Sequence, residues 1–299
     1  MARTQRVSRS RSATGSSEYA EAAPAPVLLP FVRRYTGFVE RADTGLRRLE
    51  APSSRAVLVI NLGVPFAVSG PDGSAAVHVG GFLARLSPQP ATTAFSGKSA
   101  GVQVDFTPIG LHLFCGIALH ELPELSVGLA DVLGEEGRRL EEALAAAPDW
   151  ASRFDLLDAA IARRFARARG ATPSVEWAWR ALARSGGAAE IGALCDRLGC
   201  SPRHLIRGFR EQVGVPPKTA ARILRFERAA QLLRARRPVE LARVAAACGY
   251  HDQAHMTREF RALAGTTPAA YRGSLLGGFE GVAAGAEVNF VQDPAAAAA

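Results

Sequence analysis

The sequence predicts an α+β protein in two parts: an N-terminal β-rich barrel or sandwich with a helical extension, then an all-α module. Three observations carry this. Residues 27–122 alternate β-branched and aromatic residues with Gly and Pro, the composition turns to Ala, Leu, Arg and Glu at Glu124, and a helical pattern beyond Ser174 repeats itself. A chain of 299 residues is long enough for two domains with separate cores. The expected division is a tail at 1–25, a β-rich domain ending in helices at 26–170, a helical module at 174–275 and a second tail at 276–299.

The first segment carries Arg3, Arg6, Arg9 and Arg11 among serines and reaches no apolar residue run before Val27. It reads as a disordered tail, with a DNA-contacting arm as the functional alternative. A secretory signal would need an apolar stretch of ~7–15 residues behind the basic start, and no run approaches the ~20 residues of a membrane helix. The longest apolar stretch, Ala56 to Val68, is broken by Asn61, Gly63 and Pro65. The expectation is a cytoplasmic chain with no membrane partner.

Strands are expected at Ala56–Leu62, Ala75–Gly81, Gly101–Phe106 and Leu111–Phe114, with a turn at Gly70-Pro71-Asp72-Gly73. Gln103 and Asp105 alternate with Val102, Val104 and Phe106, the period of a half-buried strand. From Glu124 to Ala168 the apolar residues fall at helical spacing. Leu140, Leu144, Phe154, Leu157, Ile161 and Phe165 mark two helices divided by Pro148, and 169–173 reads as a linker. Glu287–Gln292 reads as a short strand-like piece in a Gly/Ala-rich tail, either docked back on the N-terminal sheet or disordered.

Charge separates the two parts. Residues 26–173 hold 15 basic and 15 acidic side chains, whereas 174–275 hold 17 basic and 8 acidic. A net +9 confined to a hundred residues is the footprint of a phosphate-binding surface. The four cysteines, Cys115, Cys195, Cys200 and Cys248, read as reduced thiols, and Cys195, Cys200 and His204 fit a helical pattern better than a zinc cluster.

That pattern occurs twice. The first copy runs from Glu190 through Gly199 and Ser201 to Phe209, Gly214 and Pro217; the second runs from Glu240 through Gly249 and Asp252 to Phe260, Gly265 and Pro268. Phe, Gly and Pro recur 51 residues apart, and the second copy holds one extra residue between its first Gly and its Phe. Gly199 and Gly249 supply the left-handed backbone that ends a helix. Ser201 and Asp252 stand where a side-chain oxygen caps the next helix. The i, i+4 pairs Leu205/Phe209 and Met256/Phe260 anchor that helix on a core and leave its other face free. Helix, glycine turn, capped helix is the helix-turn-helix pattern, whose second helix fits the major groove.

The run from Gly249-Tyr250-His251-Asp252 to Tyr271-Arg272 resembles the second-repeat signature of the AraC/XylS transcription-regulator family, and 222–233 resembles that family's connecting helix. The resemblance covers about a third of the chain. It implies seven helices, with two recognition helices held in successive major grooves of double-stranded DNA. By position it implies that Arg203, Ile206 and Arg207 of the first, and Gln253, Ala254, His255, Thr257 and Arg258 of the second, face the DNA. Arg207 and Arg258 suit guanine edges or phosphates, Gln253 adenine, and Ala254 a thymine methyl; Ile206 departs from the polar residue often found there.

The N-terminal part more loosely resembles the β-rich, cupin-like sensor half of such regulators, which implies a small-molecule effector in a pocket lined by Val59, Phe66, Phe82 and Phe106. A homodimer, and RNA polymerase for an activator, are the further partners implied. A metal-dependent cupin-type enzyme is the competing reading. It would need converging ligands, and His78, His112 and His120 form no His-x-His pair. A pure oligomerisation module, using a stripe such as Leu140, Leu144 and Leu157, is the other. The expectation is a regulator that is not an enzyme, without metal or cofactor.

Overall fold

The computed structural model describes residues 5–12, 15–234, 239–276 and 289–290. Strands β1 (Gln5–Ser12), β2 (Gly15–Ala22), β3 (Val32–Glu50), β4 (Ala56–Asn61), β5 (Phe66–Ser69), β6 (Ala75–His78), β7 (Phe82–Ala84), β8 (Ala91–Phe106), β9 (Val127–Gly128) and β10 (Asn289–Phe290) form one sheet. Its order is β1-β2-β3-β8-β4-β7-β9, with β5 and β6 branching from β8 and β10 lying parallel on β3. Strand β8 pairs with β3 along nearly its whole length. Its second half also pairs with β4 and its first half with β5, so the sheet folds around an interior.

Helices α1 (Pro108–Cys115), α2 (Leu129–Leu133), α3 (Glu135–Ala146) and α4 (Trp150–Arg167) cover the convex face. The period-two alternation assigns each strand residue to one side. Leu58, Ile60, Val102, Val104 and Phe106 pack outward with Phe114, Phe154, Leu157 and Ile161 of the helices. Phe38, Val59, Phe66, Val68 and Phe82 form a second apolar cluster on the concave side. Leu140, Leu144 and Leu157 are therefore buried core beneath the sheet.

Two expectations are corrected. Leu111–Phe114 is helix: Thr107 accepts the Gly110 N–H at 3.0 Å, Pro108 opens the first turn, and Gly116 ends it in the left-handed region at φ 74°. A short apolar run has no period of its own, so only these flanking residues distinguish the two states. Residues 5–12 and 15–22 are strands rather than a tail. Strand β2 pairs with β3 over eight residues, Ala20 and Ala22 are buried, and Arg9 Nε meets Glu18 at 2.7 Å across β1 and β2. The small residues of β2 let it lie on the edge of β3. Of the strand-like piece Glu287–Gln292, Asn289 and Phe290 pair with Arg48 and Leu49 of β3; the rest of that segment lies outside the described residues.

The all-α part comprises α5 (Pro173–Arg184), α6 (Ile191–Leu198), α7 (Pro202–Gln212), α8 (Pro217–Leu233), α9 (Leu241–Ala247), α10 (Gln253–Ala264) and α11 (Pro268–Leu276), the seven helices implied. Its core is not sealed off. Ala51, Leu86, Ile109 and Leu113 from the β-rich part belong to the same cluster as Trp179, Phe209, Val213 and Phe226.

Inside the sheet, Asp105 is almost fully buried and accepts from Arg34 Nε at 2.9 Å, Arg55 at 2.8 Å and Gln103 at 2.6 Å. Burial alone would raise its pKa, but Arg55 and Arg34 outweigh that and hold the carboxyl below its ordinary value. A depressed folded pKa stabilises fully above the unfolded value of about 3.9, and the contribution is lost as pH falls through the folded one. Asp105→Asn leaves Arg34 and Arg55 without their shared counter-charge. We expect it to cost about 3–5 kcal/mol in urea unfolding near neutral pH, and to flatten the loss of stability below about pH 4. An unshifted urea midpoint would show that the cluster contributes nothing to stability.

Candidate nucleic-acid interface and ligand cavity

Each half of the helical repeat is built the same way. Helix α6 ends at Gly199 (φ 59°), and Ser201 accepts the His204 N–H at 3.2 Å to start α7. Helix α9 closes at Gly249 (φ 74°), and Asp252 accepts the His255 N–H at 2.6 Å to start α10. That backbone donor, with His251 beside it, holds the Asp252 carboxyl below its usual range, so the cap is charged at neutral pH. Leu205, Phe209, Met256 and Phe260 have no exposed surface.

The opposite faces are free. Arg203, Ile206 and Arg207 of α7, and Gln253, Ala254 and Arg258 of α10, are exposed. His255 and Thr257 are half-buried: the imidazole packs edge-on against Tyr250 at 5.4 Å, and the Thr257 hydroxyl donates to the Gln253 carbonyl at 2.9 Å. Two exposed cations were not anticipated. Applying the 51-residue offset to Arg203, Arg207 and Arg210 gives Ala254, Arg258 and Arg261, each an i, i+4, i+7 row along the free face of its helix. The repeat itself was the signal that identifies Arg210 and Arg261.

Helix α8 fixes the two units. Phe226 lies 4.7 Å from the Phe260 ring and 6.5 Å from Tyr271, and Arg222 Nε donates to the Glu259 carboxylate at 2.9 and 3.1 Å. On the other side, Glu227 of α8 accepts the Ser54 N–H at 3.2 Å, and Gln212 exchanges bonds with Thr172 at 2.9 and 2.5 Å.

The concave side of the sheet encloses a cavity of about 720 Å³, within the range of small-molecule sites. Val59, Phe66 and Phe82 line it as expected. Phe106 does not: it has the opposite strand parity to Gln103, which does line it, and packs under the helices. Arginines and carboxylates from β3, and Arg55 just before β4, also face inward, which apolar patterning did not reveal. Arg48 binds Glu40 through two bonds of 2.8 and 2.6 Å, and Tyr19 donates to the same carboxylate.

Arg85 spans the cavity wall and the helical module. Its guanidinium donates to the carbonyls of Leu122 (3.0 Å), Leu86 (3.1 Å) and Gly214 (3.2 Å), and Gly214 is the turn that follows α7. His120 Nδ1 reaches the Arg210 carbonyl at 3.2 Å, His112 the Ile117 carbonyl at 2.8 Å, and His78 the Ser126 hydroxyl at 2.8 Å. The three histidines are thus placed apart, each with its own partner. Among the described residues no helix is long and apolar enough to cross a membrane.

Residues 194–274 match the family described as Helix-turn-helix domain. The chain is 37% identical over 89 residues to an HTH-type transcriptional regulator of Mycobacterium tuberculosis, covering 30% of this chain and 34% of that protein. It is 38% identical over 91 residues to the F1 operon positive regulatory protein of Yersinia pestis, covering 30% of each. The chain thus spans about a third of the length of these relatives. A solved structure of ToxT from Vibrio cholerae aligns over 82% of this chain and 99% of that one, at 10% identity and a TM-score of 0.49, and no residue role follows from it. The matched segment coincides with the two capped helices and the helix that joins them, so the C-terminal part of this chain is an AraC-type helix-turn-helix domain.

Proposed function

We propose that this chain is a sequence-specific transcription regulator, and that it sets α7 and α10 in successive major grooves on one face of double-stranded DNA. The observation that carries this is the pair of matched, exposed rows on two capped helices held by one buried helix. Arg207 and Arg258 would pair with guanine edges or clamp phosphates, Gln253 would read adenine, and Ala254 and Ile206 would meet thymine methyls. Arg203, Arg210 and Arg261 would hold the backbone. His255, packed on Tyr250, and Thr257, bonded within α10, would orient their neighbours more than read bases. A regulator that reads DNA in this way would work in the cytoplasm of a bacterial-type cell.

The cavity supports an effector-binding role for the β-rich half over a pure oligomerisation module, whose candidate stripe is buried core. Arg85 would carry the coupling, since a ligand that displaces it from the cavity wall pulls on the Gly214 carbonyl at the end of α7. A second copy enters this reading if the operator carries two sites, and RNA polymerase if the chain activates.

Selection from random duplex DNA with the full chain at near-physiological salt should recover two short boxes about one turn (~34 Å) apart. Failure to enrich any motif would argue for non-specific binding. On the recovered site, Arg258→Ala should cost about 1–3 kcal/mol and relax preference at one position; an unchanged binding curve at matched salt would remove Arg258 from the interface. Arg85→Ala should shift affinity for the same DNA about fivefold, while the surface control Arg138→Ala should leave it alone. Equal affinities for both variants would rule out Arg85 as the link.

A further inference from the structure

The wall of the cavity divides by chemistry. Phe38, Phe66, Phe82, Val59 and Val68 form an apolar side, with the Phe66 ring stacked on Phe82 at 5.9 Å and on Phe95 at 5.8 Å. On the polar side each arginine is already matched. Arg48 holds Glu40, Arg34 and Arg55 share Asp105, and Arg85 bonds three carbonyls with Glu124 at 3.4 Å.

Glu50 differs from Glu40 and Asp105. Its carboxylate accepts from a neutral group, the Thr93 hydroxyl at 3.0 Å, and its remaining surface faces the cavity. Burial pushes its pKa above the usual carboxylate range, and Arg48 and Thr93 offset this only in part. Counting Asp105 behind Arg34 and Arg55, four guanidiniums (Arg34, Arg48, Arg55, Arg85) meet five carboxylates (Glu40, Glu50, Asp72, Asp105, Glu124). An anion entering here would have to pull an arginine from its partner and leave a buried carboxylate alone, a change that costs several kcal/mol in protein interiors.

We propose that the cavity binds an apolar amine, with the protonated nitrogen on Glu50 and the hydrocarbon or aromatic body along Phe38, Phe66 and Phe82. The nitrogen adds a charged donor to the neutral one that Thr93 gives Glu50, and the rings favour a cation beside their faces. This rests on the effector-site reading above and adds the ligand class to it.

The test is calorimetric titration of the full chain with 4-phenylbutylamine, 4-phenylbutan-1-ol and 4-phenylbutanoate, which share one body and differ in the head. The amine should bind at least about tenfold more tightly than the carboxylate. Glu50→Gln should weaken the amine by about tenfold and leave the alcohol within about twofold. Val68→Trp, which fills the apolar side, should weaken all three while the chain still melts cooperatively. A carboxylate that binds as tightly as the amine, or an amine indifferent to Glu50→Gln, overturns the ligand class and leaves the effector site standing. No binding by any of the three at millimolar concentration overturns both.

Discussion

Helix α8 buries Ala220, Ile223, Leu224, Phe226, Ala229, Ala230 and Leu233, so it is apolar around most of its circumference and has partners on several sides. Such a helix has stable placement only inside a bundle. Here the partners are the two units it joins: Phe226 meets α10 and α11, Arg222 meets Glu259 of α10, and Val213 and Val215 continue the same core at the end of α7. The spacing of the two exposed faces is therefore a property of α8's core rather than of a loop. Truncating Phe226 would loosen α10 and α11 on α8, although it faces neither groove.

The same core explains how the β-rich half can act on the helices. Ile109 and Leu113 of α1 lie in one cluster with Trp179 and Phe209, and Arg85 adds directional bonds across the junction. Two parts joined only through 169–173 would move independently. Two parts sharing apolar surface and a buried guanidinium have a limited set of relative positions, which is what an effector needs in order to bias DNA binding. The interior charges act in the other direction. By pairing with one another around the cavity they let charged groups share the sheet's concave side with its apolar cluster.

The sequence made the helical half legible nearly residue by residue, because its signals are local. Gly199 and Gly249 set backbone angles, Ser201 and Asp252 cap, and Leu205 with Phe209 and Met256 with Phe260 identify the buried face. Arg210 and Arg261 were written in the 51-residue repeat but needed it carried one helical turn further. The β-rich half was less readable since its decisive facts are non-local. Ala20 and Ala22 reveal a strand only once β3 is beside them, and Phe106 takes its side from a parity set by the whole of β8. Glu40, Glu50 and the arginines that answer them lie on strands whose register brings them together; no spacing in the chain announces that cluster.

If α8 sets the distance between the reading faces, DNA affinity must depend on the helical phase of the two half-sites. The direct measurement is the affinity of the full chain for its selected site with 0, 5 or 10 base pairs inserted between the boxes. The account predicts that every insertion costs specific affinity, since 5 base pairs turn the second box to the far face and 10 move it about 34 Å out of reach. Affinity unchanged by these insertions would mean that one recognition helix alone reads the DNA, and would contradict the account.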